Sequence, residues 1–276
     1  MSLVAAAVCP HPPMIVPEIA GSAAAELDEL RDAADSAIAR LLSVPSDAVL
    51  VVGGATRTEQ LSPPYVGGFA PWGVAAEFAL PSSQSPDQSP KPKQGPKQGP
   101  TQEQGPKQEA NPDSGAGRRA GSRITPLSLL VGGWLLSRHD LGGRTVLLDA
   151  VSADNDAAEC AEYGARRSEH RPRIALLVLG DGSARRGEKA PGYHDPRAAT
   201  YDKRVASALA GADVDALLGL DPSVSARLWV AGRAAWQVLA GAAQATGTAW
   251  TADLSYSAAP YGVGYFVANW EREEGE

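Results

Sequence analysis

Cysteine is nearly missing from this chain. There are 2 in 276 residues, Cys9 and Cys160, too few and too far apart for a disulfide framework or a paired-thiolate metal knuckle. That scarcity fits a reducing, cytoplasmic setting. Histidine is also sparse, with 4 in all and none between His11 and His139. Aromatic residues make up 6% of the chain and form no basic, aromatic-studded stripe, which argues against a nucleic-acid-binding surface. No apolar run reaches the roughly 20 residues that a membrane-spanning helix needs; the longest late one runs only from Leu127 to Leu136. The early run Leu3 to Cys9 ends in Ala-Ala-Val-Cys, as lipoprotein cleavage sites do, but it has no basic flank and is too short for a signal peptide. The expectation is an unprocessed cytoplasmic protein that binds neither membrane nor nucleic acid.

One long stretch lacks a core-forming composition. From Pro81 to Arg123 there is almost nothing apolar, and Lys-Gln-Gly-Pro units recur at Lys93 and Lys97 and less regularly at Gln104. Such a segment cannot bury enough surface to offset its ordering entropy, so residues 81–123 are expected to be a disordered Pro/Gln/Gly/Lys-rich insertion. Its basic residues (Lys91, Lys93, Lys97, Lys107, Arg118, Arg119, Arg123) outnumber its acidic ones (Asp87, Glu103, Glu109, Asp113), so the rest of the chain is more acidic than the net charge of −7 suggests. Residues 1–80 and 124–276 then form one domain, long enough for a sizeable core.

That domain alternates strand and helix signals. Leu3 to Val8, Ala48 to Val52, Arg144 to Leu148 and Arg173 to Leu179 read as strands, the first two being continuous apolar runs; Tyr261 to Ala268 supplies another. Helices are expected over Ser22 to Leu42, with Ser22 as N-cap, and over Pro126 to Ser137, Asp154 to Arg167, Arg197 to Leu209, Asp213 to Leu218, Pro222 to Val230 and Arg233 to Ala245. Apolar strands separated by helices imply an α/β fold, with a mainly parallel sheet covered by helices on both faces. Ligands of such sheets bind beyond the carboxyl ends of the strands. His11, Gly53-Gly54 and Asp181 each follow a strand directly, so they are expected to converge there.

His11 stands between Pro10 and Pro12, which fix the backbone around an imidazole. Asp181, Ser183 and Arg185 follow the strand that ends at Leu179; Tyr193 and His194 lie in the turn-forming stretch Pro191 to Pro196. His139 and His170 close expected helices, where they answer the helix dipole. Gly180-Asp-Gly182 lacks the third glycine of a dinucleotide loop, and no phosphate-binding P-loop occurs. Asp181 and Arg185 stand where a Gly-x-Ser-x-Gly elbow around Ser183 requires glycines.

Together, Val8-Cys-Pro-His-Pro-Pro13, the loop Gly180 to Tyr193 with Asp202, and Ala231-Gly-Arg-Ala-Ala-Trp236 resemble the class III extradiol ring-cleavage dioxygenases. This is the LigB-like superfamily, to which the Memo-like proteins are related. The resemblance covers most of the chain outside the insertion and implies a LigB-like fold. It also implies ferrous iron held by two histidines and a carboxylate, with positions open for catecholate and O₂. His11 matches the first ligand. The second histidine should follow the strand ending at Val52, yet Gly53 to Thr58 contains none; the third ligand should lie near Ala231 to Ala235, which offers neither glutamate nor cysteine. Ala184 occupies the place of the family's acid/base histidine. Only distant groups such as His194, Glu59 or Glu77 are left to substitute.

The expected function is therefore a degenerate small-molecule-binding homologue of a ring-cleaving dioxygenase. Its pocket is expected to comprise His11, Gly53, Gly54, Arg185, Tyr193 and Arg233, and its only retained Fe(II) ligand is His11. Two other readings remain open. One is a metal-independent enzyme such as a hydrolase, with Asp181, Ser183 and His194 as catalytic residues; the other is a non-catalytic partner-binding protein. The partner implied is a small molecule, and a homo-oligomer is compatible with the sequence.

Overall fold

The computed structural model describes residues 3–81, 122–169 and 173–273. The chain opens with β1 (Leu3–Cys9), α1 (Pro17–Ala20), a 3-10 stretch over Gly21–Leu27 and α2 (Asp28–Ser43). Next come β2 (Ala48–Ala55), β3 (Glu59–Gln60), β4 (Tyr65–Gly68), β5 (Glu77–Leu80), β6 (Ser122–Arg123), α3 (Leu127–Ser137) and β7 (Thr145–Ser152). After α4 (Ala157–Glu169) and β8 (Ile174–Leu179) follow α5 (Arg197–Ala210), α6 (Val214–Leu218), α7 (Pro222–Arg227), α8 (Arg233–Ala245), β9 (Trp250–Ala258) and β10 (Tyr265–Arg272). The interior of the expected insertion, residues 82–121, and His170 lie outside the described residues.

Seven strands form one sheet in the order β3-β7-β2-β8-β1-β10-β9. The four central strands β7, β2, β8 and β1 run parallel, while β3, β10 and β9 pair antiparallel at the margins. The domain is thus α/β with a mixed sheet, not the mainly parallel one expected. Alternation along the central strands divides the core in two. Ala5, Ala7, Val49, Val51, Ala175 and Leu177 pack with Leu30, Ile38 and Leu129 of α2 and α3. Ala6, Val8, Leu50, Val52, Leu176 and Val178 pack with Tyr163, Val205, Trp236 and Leu239 of α4, α5 and α8. Both faces are covered, so every residue of β8 is buried, which is why that strand reads as an unbroken apolar run.

Several helix starts follow from local chemistry. The Asp156 carboxylate accepts from the Glu159 N–H while the Glu159 carboxylate accepts from the Asp156 N–H, a reciprocal cap that starts α4. Asp213 and Asp221 cap α6 and α7 in the same sense, the latter with Pro222 in the first turn. Ser22 caps nothing. In the Ala-rich stretch Gly21–Leu27 only Leu27 is buried, so no apolar stripe anchors a regular helix, and α2 starts six residues later than expected.

The three-stranded sheet β5-β4-β6 was not foreseen. Ser122 and Arg123, assigned by composition to the insertion, pair parallel with Tyr65 and Val66 of β4. Edge strand β9 was also passed over. Its alternation of Trp250, Ala252, Leu254 and Tyr256 with Thr251, Asp253, Ser255 and Ser257 is the period-two signal of a half-covered strand. The final strand begins at Tyr265, since Tyr261 to Gly264 form the turn before it.

Candidate functional site

Register brings three strand ends to one level. Cys9 stands opposite Leu179, and Leu179 opposite Gly53, while β7 runs on to place Ser152 opposite Ala55. Just past that level the Gly180 N–H donates to the Cys9 carbonyl at 3.0 Å. The His11 backbone N–H donates to Asp181 Oδ1 at 2.7 Å. His11 Nδ1 lies 3.5 Å from the same oxygen, buried and without a hydrogen-bond partner. Burial holds the Asp181 carboxyl above its usual pKa, opposed by the neighbouring His11. Two residues before His11, burial pushes the Cys9 thiol up to about 12, which disfavours the thiolate that a nucleophile needs at neutral pH.

The Gly232 N–H donates to the Asp181 carbonyl at 2.9 Å, which joins this dyad to the start of α8. Ala231 in turn abuts β2: a Cβ added at Gly54 would sit 2.8 Å from the Ala231 carbonyl oxygen. Only glycine allows that approach. Gly54 and Ala231 are two walls of a cavity of about 710 Å³, completed by Ala55, Thr56, Arg57, Glu59, Thr125, Pro126, Leu127 and Ala153. It opens at the carboxyl ends of β2 and β7, where an α/β sheet gathers its ligands.

The cavity wall is braced from behind. The Ala153 N–H donates to the Ala55 carbonyl at 2.9 Å, and the Ser152 N–H to Thr58 Oγ1 at 3.0 Å. Arg233 is 3% exposed. Its guanidinium donates to the carbonyls of Asn155 and Ala153 and to Gln237 Oε1, so it fastens the loop after β7 to α8 and keeps no donor fork for a ligand. At the rim, Arg57 and Glu59 pair at 2.7 Å, with the arginine side chain 77% exposed. Residue reasoning missed Thr56 and Thr125. The signal was the polar run Thr56-Arg57-Thr58 directly behind a strand that ends in two glycines.

The other expected site residues are used differently. Gly53 faces Ser128, whose hydroxyl donates to the Gly54 carbonyl at 2.8 Å. Ser183 is fully buried; its N–H and hydroxyl donate to the two carboxylate oxygens of Asp202, each at 2.8 Å. A hydroxyl held this way is a staple between loop and α5, not an exposed nucleophile, and it has no histidine partner. Arg185 lies over the Trp229 ring, 5.3 Å from its centroid. Tyr193 and His194 are exposed, neither lining the cavity. Glu77 stands in β5, opposite Gly68. His139 follows α3 and faces Asp35 at 3.3 Å.

The donor set does not fit the ferrous iron that the resemblance implies. Among the described residues no three His, Cys, Asp or Glu side chains converge as a metal site. Of the three places where ligands are expected, His11 alone carries a donor, and the other two meet as the Gly54 backbone and the Ala231 carbonyl. Glu59, the nearest candidate replacement on the cavity, is paired with Arg57.

No family model matches the chain, and no curated protein does. The crystal structure of an uncharacterized Escherichia coli K12 protein is similar over 97% of this chain and 99% of that chain, at 12% identity and a TM-score of 0.45. That likeness is too slight to assign a family. No described helix is long and apolar enough to cross a membrane.

Proposed function

We propose that the protein is a small-molecule-binding member of the LigB-like superfamily that has lost iron-dependent ring cleavage. The observation that carries this reading is the cavity between the ends of β2 and β7, bounded by Gly54 and Ala231. It occupies the place where this sheet type binds ligands, and its volume falls within the usual range for small-molecule sites. Its apolar lining of Ala55, Leu127, Ala153 and Ala231 suits a ring-sized body, and Thr56, Thr125 and Arg57 supply polar contacts that orient it. In this reading His11 and Asp181 buttress the cavity. The hydrolase alternative loses its candidate nucleophile, because the Ser183 hydroxyl is enclosed with Asp202.

A ligand-observed NMR screen of ring-sized fragments, catechol and protocatechuate among them, tests the proposal against wild type and Ala153→Phe. Ala153 is exposed and lines the cavity, so the phenyl ring fills the cavity without entering the core. Fragments that bind wild type and lose binding to the folded variant support the reading. Fragments that bind both equally, or none that binds wild type, overturn it.

A further inference from the structure

Along the same carboxyl edge, toward β10 and β9, the loop 186–190 and the turn 259–262 enclose a second concavity of about 530 Å³ that shares no lining residue with the first. Its frame is prebuilt. The Arg186 N–H donates to the Gly262 carbonyl at 3.0 Å, the Ala190 N–H to the Gly187 carbonyl at 3.0 Å, and the Gly264 N–H to the Ser183 carbonyl at 2.9 Å. Gly262 has φ of +73°, and a Cβ there would sit 2.6 Å from that of Ala190, so loop and turn interlock at a position only glycine accepts.

Two cations, Arg186 and Lys189, line this concavity. Lys189 is exposed and, among the described residues, has no ion-pair partner. The nearest carboxylate to Arg186 is Asp202, whose Oδ2 lies 3.8 Å from Nε and already accepts the Ser183 hydroxyl. Two acids besides Asp202 bear on the site. Glu188 lines it, and Glu26 accepts from the Tyr261 hydroxyl at 2.9 Å behind the aromatic wall. Ala190, Ala259, Pro260 and the Tyr261 ring give the remainder an apolar character.

We infer that this concavity binds a phosphomonoester with a short apolar body. The guanidinium fork of Arg186 and the point charge of Lys189 lie three residues apart on one loop and together answer a tetrahedral dianion. A monoanion satisfies one cation only, and a neutral molecule leaves both to water. Glu188 offsets part of the attraction, for a dianion and a carboxylate alike, and the two cations together supply the preference for double charge. The site is independent of the one proposed for the first cavity.

Phenyl phosphate is the probe, with benzoate and phenol as the singly charged and neutral controls, titrated calorimetrically into the whole chain. Phenyl phosphate binds, and at least about tenfold more tightly than benzoate, as two exposed charge contacts predict. The double substitution Arg186→Gln with Lys189→Gln weakens it by about tenfold or more, while Glu188→Gln tightens it severalfold. Ala153→Phe, which fills the first cavity, serves as the background: the phenyl phosphate binding it retains is the binding that the double substitution weakens. Melting curves verify that each variant is folded. The inference is overturned if phenyl phosphate does not bind wild type at millimolar concentration. It is equally overturned if the double variant binds as wild type does, or if Ala153→Phe removes the binding.

Discussion

The loop after β8 and the loop after β2 leave the same edge of the same sheet, yet they use their polar residues in opposite ways. Behind β8 stand the residues of strongest chemical character, Asp181, Ser183 and Arg185, and each is turned to structure: Asp181 holds the His11 backbone, Ser183 is enclosed with Asp202, and Arg185 stacks on Trp229. At the end of β2 stand Gly54 and Ala55, and behind it Thr56 and Arg57, ordinary residues that line the open cavity. A side chain's availability depends on how far the protein already holds it: Asp181 and Ser183 are held by hydrogen bonds, and Arg185 lies against the Trp229 ring with its Nε buried and without a hydrogen-bond partner.

The largest effect expected from this contrast belongs to Asp202→Ala. It strands a buried N–H and a buried hydroxyl of Ser183 and destabilises the fold by about 3 kcal/mol, measured by urea denaturation; a loss under about 1 kcal/mol would mean the staple is unimportant. Arg233→Met removes charged bonds to two backbone carbonyls and should cost about 2 kcal/mol. It should also weaken fragment binding in the first cavity, because Ala153 is no longer fastened to α8. Unchanged fragment affinity in that variant would separate the brace from the cavity. Gly54→Ala forces a Cβ against the Ala231 carbonyl and should cost about 1–2 kcal/mol while narrowing the cavity. Least of all, Arg57→Gln breaks an exposed ion pair and should shift stability by no more than about 0.5 kcal/mol; its effect should appear in fragment affinity alone, by NMR titration.

Much of the architecture was legible because burial on both faces leaves a plain signature. Apolar runs at Ala48 to Val52 and up to Leu179 could only be covered strands, and the amphipathic pattern of Arg197 to Leu209 and the helix opening at Arg233 followed from spacing. The convergence of His11 with Asp181 followed from their places at strand ends. What stayed hidden depends on pairing between distant segments. Ser122 and Arg123 have no strand signal of their own and become β6 only by joining β4. The mixed character of the sheet rests on the antiparallel pairing of β10 with β1 and of β3 with β7, and the polar alternate positions of β9 weaken its apolar signal. Ser183 read as a candidate nucleophile because its partner, Asp202, comes 19 residues later on a helix. Thr125 lines the cavity, yet in sequence it follows a stretch without core-forming composition and belongs to no motif.

The central claim is that this edge holds a small-molecule cavity without the iron centre of a ring-cleaving enzyme. Anaerobic loading with ferrous iron, desalting and counting of iron per chain, followed by aeration with catechol or protocatechuate, tests it most directly. The account predicts no stoichiometric iron and no yellow ring-opened product, since one histidine beside a single buried carboxylate cannot hold the metal. About one iron per chain, with turnover abolished by His11→Ala, would contradict it.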